Sequence, residues 1–401
     1  MLFRSDPIHA ERFVYLLEWG TGQRTYMHSV FMPLTGEEFF FAMSGDAMPA
    51  ITSLAQLGSL VDGARRWVID GPFESGAEIP FTTYQRVSIT ENDRIVASHS
   101  EGLFWDAGIG NDTMLGGNAN DTLLGGGGND RIFTGLGNNV VMGGTGNDTI
   151  TGNGDFNEIM GGAGNDSIAS ISNVGGVING GGGADVITVG AGTFTAGFWT
   201  AYNTVNGGSG ADRLTGAQAN DWFRGDAGND TLTGYAGDDD LYGGDHNDKI
   251  YGGAGNDRVE GDNGADLLSG GAGEDMMYGD AGADTLIGGA AADEAWGGAG
   301  ADVFRFVNAT DSTFVDSDQI FEFASGEDKI DLAAVDANST VGNDQAFAWR
   351  GAQAFTGLGQ LRVVVSQGDT IILGNISGDL AADFRIVVQD VTGLTQANFL
   401  L

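Results

Sequence analysis

From residue 207 to residue 305 the sequence repeats a nine-residue unit eleven times without a break, each copy approximating G-G-x-G-x-D-x-U-x with U a large apolar residue. Typical copies are Gly252-Gly253-Ala254-Gly255-Asn256-Asp257-Arg258-Val259-Glu260 and Gly225-Asp226-Ala227-Gly228-Asn229-Asp230-Thr231-Leu232-Thr233. This period constrains the fold more than any other property, because one unit is too short to bury its own apolar residue and must stack on its neighbours. Positions seven to nine suit a short strand, and the alternation of extended chain turns the middle side chain to one side. The residues there are Leu214, Phe223, Leu232, Leu241, Ile250, Val259, Leu268, Met277, Leu286, Ala295 and Phe304. All but Ala295 are bulky, enough for a continuous apolar seam. The glycines between strands permit positive φ and tight reversal. Two units complete one coil, so the strands should stack as two parallel sheets, with Asp212 above Asp230 and Asp221 above Asp239.

The same register runs through residues 107–169 as seven units, with Asn139 and Asn157 in place of aspartate and a degenerate stretch at 152–160. Residues 170–179 are one residue too long, and 180–188 resume the pattern. Residues 189–206 lack the motif but have the length of two units, which predicts a pair of degenerate turns kept inside the coil. Phe194, Phe198, Trp199 and Tyr202 are its unusual occupants. The unit at 288–296 is irregular too: Ala291 replaces a glycine and Ala295 underfills the seam.

Position six carries aspartate at Asp112, Asp121, Asp130, Asp148, Asp166, Asp185, Asp212, Asp221, Asp230, Asp239, Asp248, Asp257, Asp266, Asp275, Asp284, Asp293 and Asp302. A single turn aspartate commonly caps its own backbone, but the same register held through so many turns stacks carboxylates in columns that repel one another. The formal net charge is −38. Residues 1–105 hold 13 acidic and 7 basic side chains, 106–305 hold 29 and 6, and 306–401 hold 13 and 4, so the excess acid sits in the repeats. This balance excludes nucleic acid and anionic membrane surfaces as partners and calls for bound cations. Calcium, which takes several hard oxygen ligands at once, matches carboxylates and inward-pointing carbonyls, and two aspartates balance one Ca²⁺. Without metal the segment combines the entropy cost of glycine with self-repulsion; with metal, binding free energy becomes folding free energy.

The nonapeptide resembles the calcium-binding repeat of RTX proteins. That resemblance implies a parallel β-roll holding several Ca²⁺ ions. The reading as a whole is mainly β: an amino-terminal α+β unit at 1–105, the roll at 106–305 with a degenerate stretch at 170–206, and a carboxy-terminal β domain at 306–401.

After Arg305 the glycine pattern gives way to apolar runs at 320–323, 361–365, 370–373 and 384–388, which read as strands continuing the roll. Gly300-Ala301-Asp302-Val303-Phe304, Asp318-Gln319-Ile320, Phe323-Ala324-Ser325-Gly326-Glu327-Asp328-Lys329-Ile330-Asp331-Leu332, Gly378-Asp379-Leu380-Ala381-Ala382-Asp383-Phe384 and the apolar end Asn398-Phe399-Leu400-Leu401 resemble the carboxy-terminal domain of serralysin-type metallopeptidases. The resemblance implies calcium-dependent folding and export through a type I secretion apparatus that reads an uncleaved carboxy-terminal signal. Asn375 stands where similar proteins often carry aspartate, which puts a further calcium site around Asp379 and Asp383 in doubt. The protease half has no counterpart: the four histidines, His9, His28, His99 and His246, are not spaced as H-E-x-x-H.

With no cysteine, disulfides and thiolate metal sites are excluded. The first residues lack the apolar run of a secretory signal peptide, and no run is long enough to span a membrane. Together with the carboxy-terminal resemblance this leads to an expectation of a secreted, extracellular protein from a Gram-negative cell.

Residues 1–105 contain 15 of the 38 aromatic residues and read as strands near 13–19, 24–32, 38–43, 81–90 and 94–97, with helical spacing of apolar residues at 51–61. Trp19, Tyr26, Trp67 and Tyr84 could stack on a glycan, though core packing accounts for such aromatics more readily. His28 with Glu18 or Asp46 is the best acid-base pairing on offer, and nothing brings them together. No G-x-S-x-G elbow or P-loop is present. The leading expectation is a non-enzymatic surface, matrix or adhesion component. The alternative is an extracellular hydrolase or glycan-processing enzyme with its activity in 1–105. A pore-forming toxin is disfavoured, because no amphipathic or apolar helical region is present.

Overall fold

The computed structural model describes residues 94–96, 104–154, 156–170, 176–190, 203–338, 345–377 and 379–401, together with residues 92 and 102 and the backbone of six further strands. From Arg94 onward the chain winds as a parallel β-roll whose strands alternate between two sheets. One sheet includes Asp221–Ala227, Asp240–Asp245, Arg258–Asn263 and Met276–Tyr278; the other includes Thr231–Ala236, Lys249–Ala254, Leu267–Ala272 and Thr285–Ala290. Neighbours within each sheet are parallel and in register, so that Leu232 lies beside Ile250 and Ile250 beside Leu268.

The middle residues of the units form the core, as the alternation requires. Leu214, Phe223, Leu232, Leu241, Ile250, Val259 and Leu268 are fully buried, and Met277, Leu286 and Phe304 nearly so. Each large side chain taken out of water this way contributes roughly 1.5–3 kcal/mol. The seam starts earlier than the glycine motif. Arg94–Val96 pairs with Thr113–Leu115, and Phe104–Asp106 with Thr122–Gly127, which buries Ile95 and Trp105.

The one-residue excess at 170–179 is absorbed between strands, with Asn157 opposite Gly176. The expectation for 189–206 is corrected. Gly176 pairs directly with Asn203, and Val186 with Arg213, so the coil here is one unit longer than usual. Asn203–Ser209 lies in the sheet, while Phe194–Thr195 and Phe198–Trp199 form a separate antiparallel pair. Length alone does not keep a segment in the coil.

Beyond Arg305 both sheets continue. Gln319–Phe321 pairs with Glu294–Trp296, and Lys329–Asp331 with Val303–Arg305. Phe384–Val388 joins the first sheet in parallel, and Asp369–Asn375 and Gln360–Ser366 extend it antiparallel. Phe399–Leu400 closes the second sheet beside Lys329–Asp331. On the outer face Tyr278, Trp296 and Phe321 stack at 4.6 and 4.5 Å, close to the strand spacing, with the Arg258 guanidinium 4.6 Å from the Tyr278 ring centre. This ladder fastens the last repeat strand of that sheet to the first strand after it.

Contacts divide the chain into two compact units, Met1–Glu78 and Ile79–Leu401. In the first, Glu37–Gly45, Gln23–Met32, Glu11–Trp19 and Arg65–Trp67 form a four-stranded sheet in that order, antiparallel throughout. The expected strand at 81–90, the helical spacing at 51–61, and the side chains of Glu18, Trp19, Tyr26, His28, Asp46, Trp67 and Tyr84 lie outside the described residues. Among the described residues no helix is long and apolar enough to cross a membrane.

Candidate metal centre

All seventeen aspartates of the nonapeptide register are buried, none more than 3% exposed. The turns between strands stack them along the two edges of the roll. On one edge the backbone N–H of each aspartate donates to Oδ1 of the aspartate one coil later, at 2.7–3.0 Å. That chain runs from Asp112 through Asp130, Asp148, Asp166, Asp185, Asp212, Asp230, Asp248, Asp266, Asp284 and Asp302 to Asp328. The second edge follows the same rule from Asp221 through Asp239, Asp257, Asp275 and Asp293 to Asp318. Asp212 therefore sits next to Asp230 and Asp221 next to Asp239, as the coil period predicts.

One carboxylate oxygen is thus satisfied by protein, and the other is not. In fourteen of these aspartates, from Asp130 to Asp302, Oδ2 is buried and receives no hydrogen bond. Leaving a buried acceptor unmatched costs about 1–3 kcal/mol, and more when it is charged. The expense is visible in the acidities. Burial, followed by repulsion from neighbouring aspartates, pushes Asp239, Asp248 and Asp275 up to about 8, and Asp185 and Asp284 to about 7. Hydrogen bonds from the preceding aspartate's N–H oppose this and do not cancel it. A row of carboxylates that is buried, half-matched and mutually repelling is suited to hard cations with oxygen-rich shells, and Ca²⁺ is the ion of that kind with flexible coordination.

The glycines keep these oxygens close to the turns. A Cβ on Gly252 would collide with Asp257 Oδ2 and with the carbonyl oxygen of Gly270 in the next coil. Gly253 has φ near +120°, in a region that side chains disfavour, and its missing Cβ leaves room for the Tyr235 carbonyl.

The asparagine positions are built differently. Asn139 accepts the Asp121 N–H on Oδ1, as an aspartate would, but its Nδ2 donates to the Gly137 carbonyl at 3.1 Å and to Asn157 Oδ1 at 3.0 Å. Asn203 likewise donates from Nδ2 to Asp221 Oδ1 at 2.6 Å. Asp121 and Asp221, at the ends of this interruption, have Oδ2 bound by the N–H groups of Gly117 and Ala217. Here amide hydrogens do what a cation would do elsewhere.

Asp318 and Asp328 belong to the columns, although a search by nine-residue period misses them. They follow Asp293 and Asp302 by 25 and 26 residues. Their signal is the local pattern of an aspartate two residues before a buried isoleucine, in Asp318-Gln319-Ile320 and Asp328-Lys329-Ile330. Burial and the Asp293 charge push Asp318 up to about 9. Glu260, Asp262 and Asp280 form a separate acidic group on the surface, and Arg258 neutralises part of it through Glu260 at 2.7 Å. His246 is exposed on a turn with φ 84°, as a surface position should be. Around Asn375, Asp383 Oδ2 accepts from Ile376 and Ser377 N–H and Asp379 Oδ1 from Ala381 N–H, so these carboxylates bind their own loop.

A family comparison agrees with this reading of the repeats. The profile of the RTX calcium-binding nonapeptide repeat (4 copies) matches residues 106–141, 142–170, 177–193, 203–232, 215–250, 242–277 and 278–306. RTX nonapeptide repeats are therefore present in this chain, and such repeats bind Ca²⁺. Among solved structures, the chain is similar to the AlgE6R3 subunit of the Azotobacter vinelandii mannuronan C5-epimerase, with 26% identity and a TM-score of 0.26 over 39% of this chain and 80% of that one. The AlgE6R2 subunit of the same epimerase shows 27% identity and a TM-score of 0.29 over 37% of this chain and 88% of that one. No curated protein matches the chain.

Proposed function

We propose that the chain is a secreted protein whose roll folds on calcium outside the cell, with the seventeen position-six aspartates as the carboxylate ligands. The observation that carries this reading is the row of buried Oδ2 atoms without partners along both edges. Each ion would draw on carboxylates of successive coils and turn carbonyls, and would supply the charge that the burial of these groups requires. Low calcium then leaves the repeat segment unfolded, the state a narrow export channel needs, and high calcium outside drives folding. Export by a type I apparatus is supported by the serralysin-like residues of 306–401, with the signal in the last residues. Once folded, the protein serves as a surface, matrix or adhesion component, and residues upstream of the roll would engage a surface or glycan ligand.

Two experiments test this reading. Far-UV circular dichroism of the full chain should show β-roll content in millimolar calcium and its loss in EDTA; full β content in EDTA contradicts it. Deleting residues 392–401 should retain the protein inside an exporting cell, and undiminished export would rule out a signal there.

A further inference from the structure

We propose that the outer face of the first sheet is the interface of a two-fold dimer, in which a row of arginines near the carboxy-terminal end of the face meets an acidic group on a second copy of this chain. The surface lies away from the turn carboxylates, so the inference goes beyond the calcium reading.

Strand register brings the arginines together. Arg362 lies opposite Leu373, and Leu373 opposite Arg385. Trp349 pairs with Leu361, so one residue further on Arg350 comes beside Arg362. Leu361, Phe384 and Ile386 are buried and Trp349 packs against the core, which turns the three guanidinium groups to the outer face. Elsewhere Arg224, Arg258 and Arg305 pair with Asp226, Glu260 and Asp331 at 2.6–2.8 Å, and Arg131 and Arg213 are exposed to water. Arg350, Arg362 and Arg385 are half-buried, and among the described residues none of them has an ion-pair partner. Nε of Arg350 and of Arg362 is buried without an acceptor, and the Phe355 ring lies 5.4 Å from the Arg362 guanidinium. Guanidinium groups held partly out of water, side by side and with no carboxylate, call for an anionic partner.

The same face carries the complement. Beyond the Tyr278, Trp296 and Phe321 ladder, Glu260 neighbours Tyr278, and its carboxylate lies within 4.8 Å of those of Asp262 and Asp280. Burial, then the Glu260 charge, holds Asp262 and Asp280 above the ordinary carboxylate range. Glu322 adds to the charge on Asp280, while Arg224 and the Glu260-bound Arg258 offset only part of it. From Arg258–Asn263 to Ala348–Trp349 the face spans eight strands, about 34 Å at the usual spacing between neighbours. Acids stand toward one end, arginines toward the other, and the aromatic ladder with the exposed Met276 lies between them. A two-fold axis near the ladder lays the arginines of each copy on the acids of the other, and such a contact closes at two copies. Its centre would be aromatic and its flanks charged, as in specific interfaces. At physiological salt, charges more than about 8 Å apart are screened, so contacts at the face outweigh the net charge of the two copies.

The test is sedimentation velocity on the full-length protein in calcium. The wild type should sediment as a dimer at micromolar concentration. Arg350→Glu with Arg362→Glu, and separately Asp262→Lys with Asp280→Lys, should each weaken the dimer tenfold or more. Mixing the two double variants should restore it, because opposite charges then meet at both contacts. A dimer indifferent to both charge reversals, or one that mixing does not restore, overturns this face as its interface. A wild type that folds on calcium by circular dichroism yet stays monomeric overturns the dimer and leaves the calcium reading intact. If a variant fails to fold, hydrogen exchange of the wild type decides. The amides of Arg258–Asn263 and Gln360–Ser366 should lose protection on dilution to monomer, and unchanged protection overturns the proposal.

Discussion

The two edges of the roll share one backbone and one period, yet they treat their buried carboxyl positions differently. One edge keeps aspartate in every coil from Asp112 to Asp328. The other has Asn139, Asn157 and Asn203 between Asp121 and Asp221; Asn139 and Asn203 donate from Nδ2 to Asn157 Oδ1 and Asp221 Oδ1, while the buried Asn157 Nδ2 has no acceptor. An asparagine side chain carries both a donor and an acceptor and no charge, so a neighbouring amide or carboxylate can partner it; an ionised carboxylate column has acceptors only and needs positive charge. The lesson is that the repeat fold does not itself require metal at every turn. The demand for positive charge falls on the aspartates whose buried Oδ2 has no partner.

The largest effect should come from the continuous edge. Asp248→Ala removes a buried carboxylate flanked by Asp230 and Asp266. With free calcium at 100 times Kd, losing one ion costs about 2.7 kcal/mol. The calcium concentration for half-folding, followed by circular dichroism, should rise about tenfold or more. The interrupted edge predicts the converse. Asn139→Asp with Asn157→Asp should add at least one bound calcium by equilibrium dialysis, and should weaken the roll at limiting calcium, because new buried charges are left uncompensated.

Proton competition follows at smaller scale. Burial raises Asp130 to about 6, Asp185 to about 7 and Asp239 and Asp248 to about 8, above the ordinary 3.8, so protons on these groups favour the metal-free roll below about pH 4 and that support is lost as pH rises through about 6 to 8. Calcium must displace these protons. Its affinity should therefore increase from pH 5.5 to 8.5, with proton release measurable by calorimetry in buffers of different ionisation enthalpy. The smallest effect concerns backbone strain alone. His246→Gly on the continuous edge and Ala291→Gly on the other relieve φ values of 84° and 98°, and each should stabilise the calcium-loaded roll by at most about 1 kcal/mol in thermal melts.

Much of this was legible in the sequence, because the period of nine fixes both the strand seam and the turn carboxylates. Leu232, Ile250 and Leu268 are buried at the predicted positions, and Asp212 neighbours Asp230 as the two-unit coil demands. What the sequence hid depends on contacts between coils. The length of 189–206 suggested two turns in the coil, but pairing skips from Gly176 to Asn203, a step the spacing alone does not reveal. Asn139 stands where most turns carry aspartate, and the donation of its amide to Gly137 and Asn157 shows only in the folded coil. Asp318 lay off the period, so only the three-dimensional coil joins it to Asp293.

Hydrogen exchange at the backbone amides of the aspartates probes the columns most directly, because each of these N–H groups donates to the carboxylate of the next coil. In saturating calcium the amides of Asp212, Asp230 and Asp248 should exchange slowly, and on chelation they should lose protection together. If those amides stay protected in EDTA at pH 8, the buried carboxylates do not depend on calcium and the metal reading of the roll is wrong.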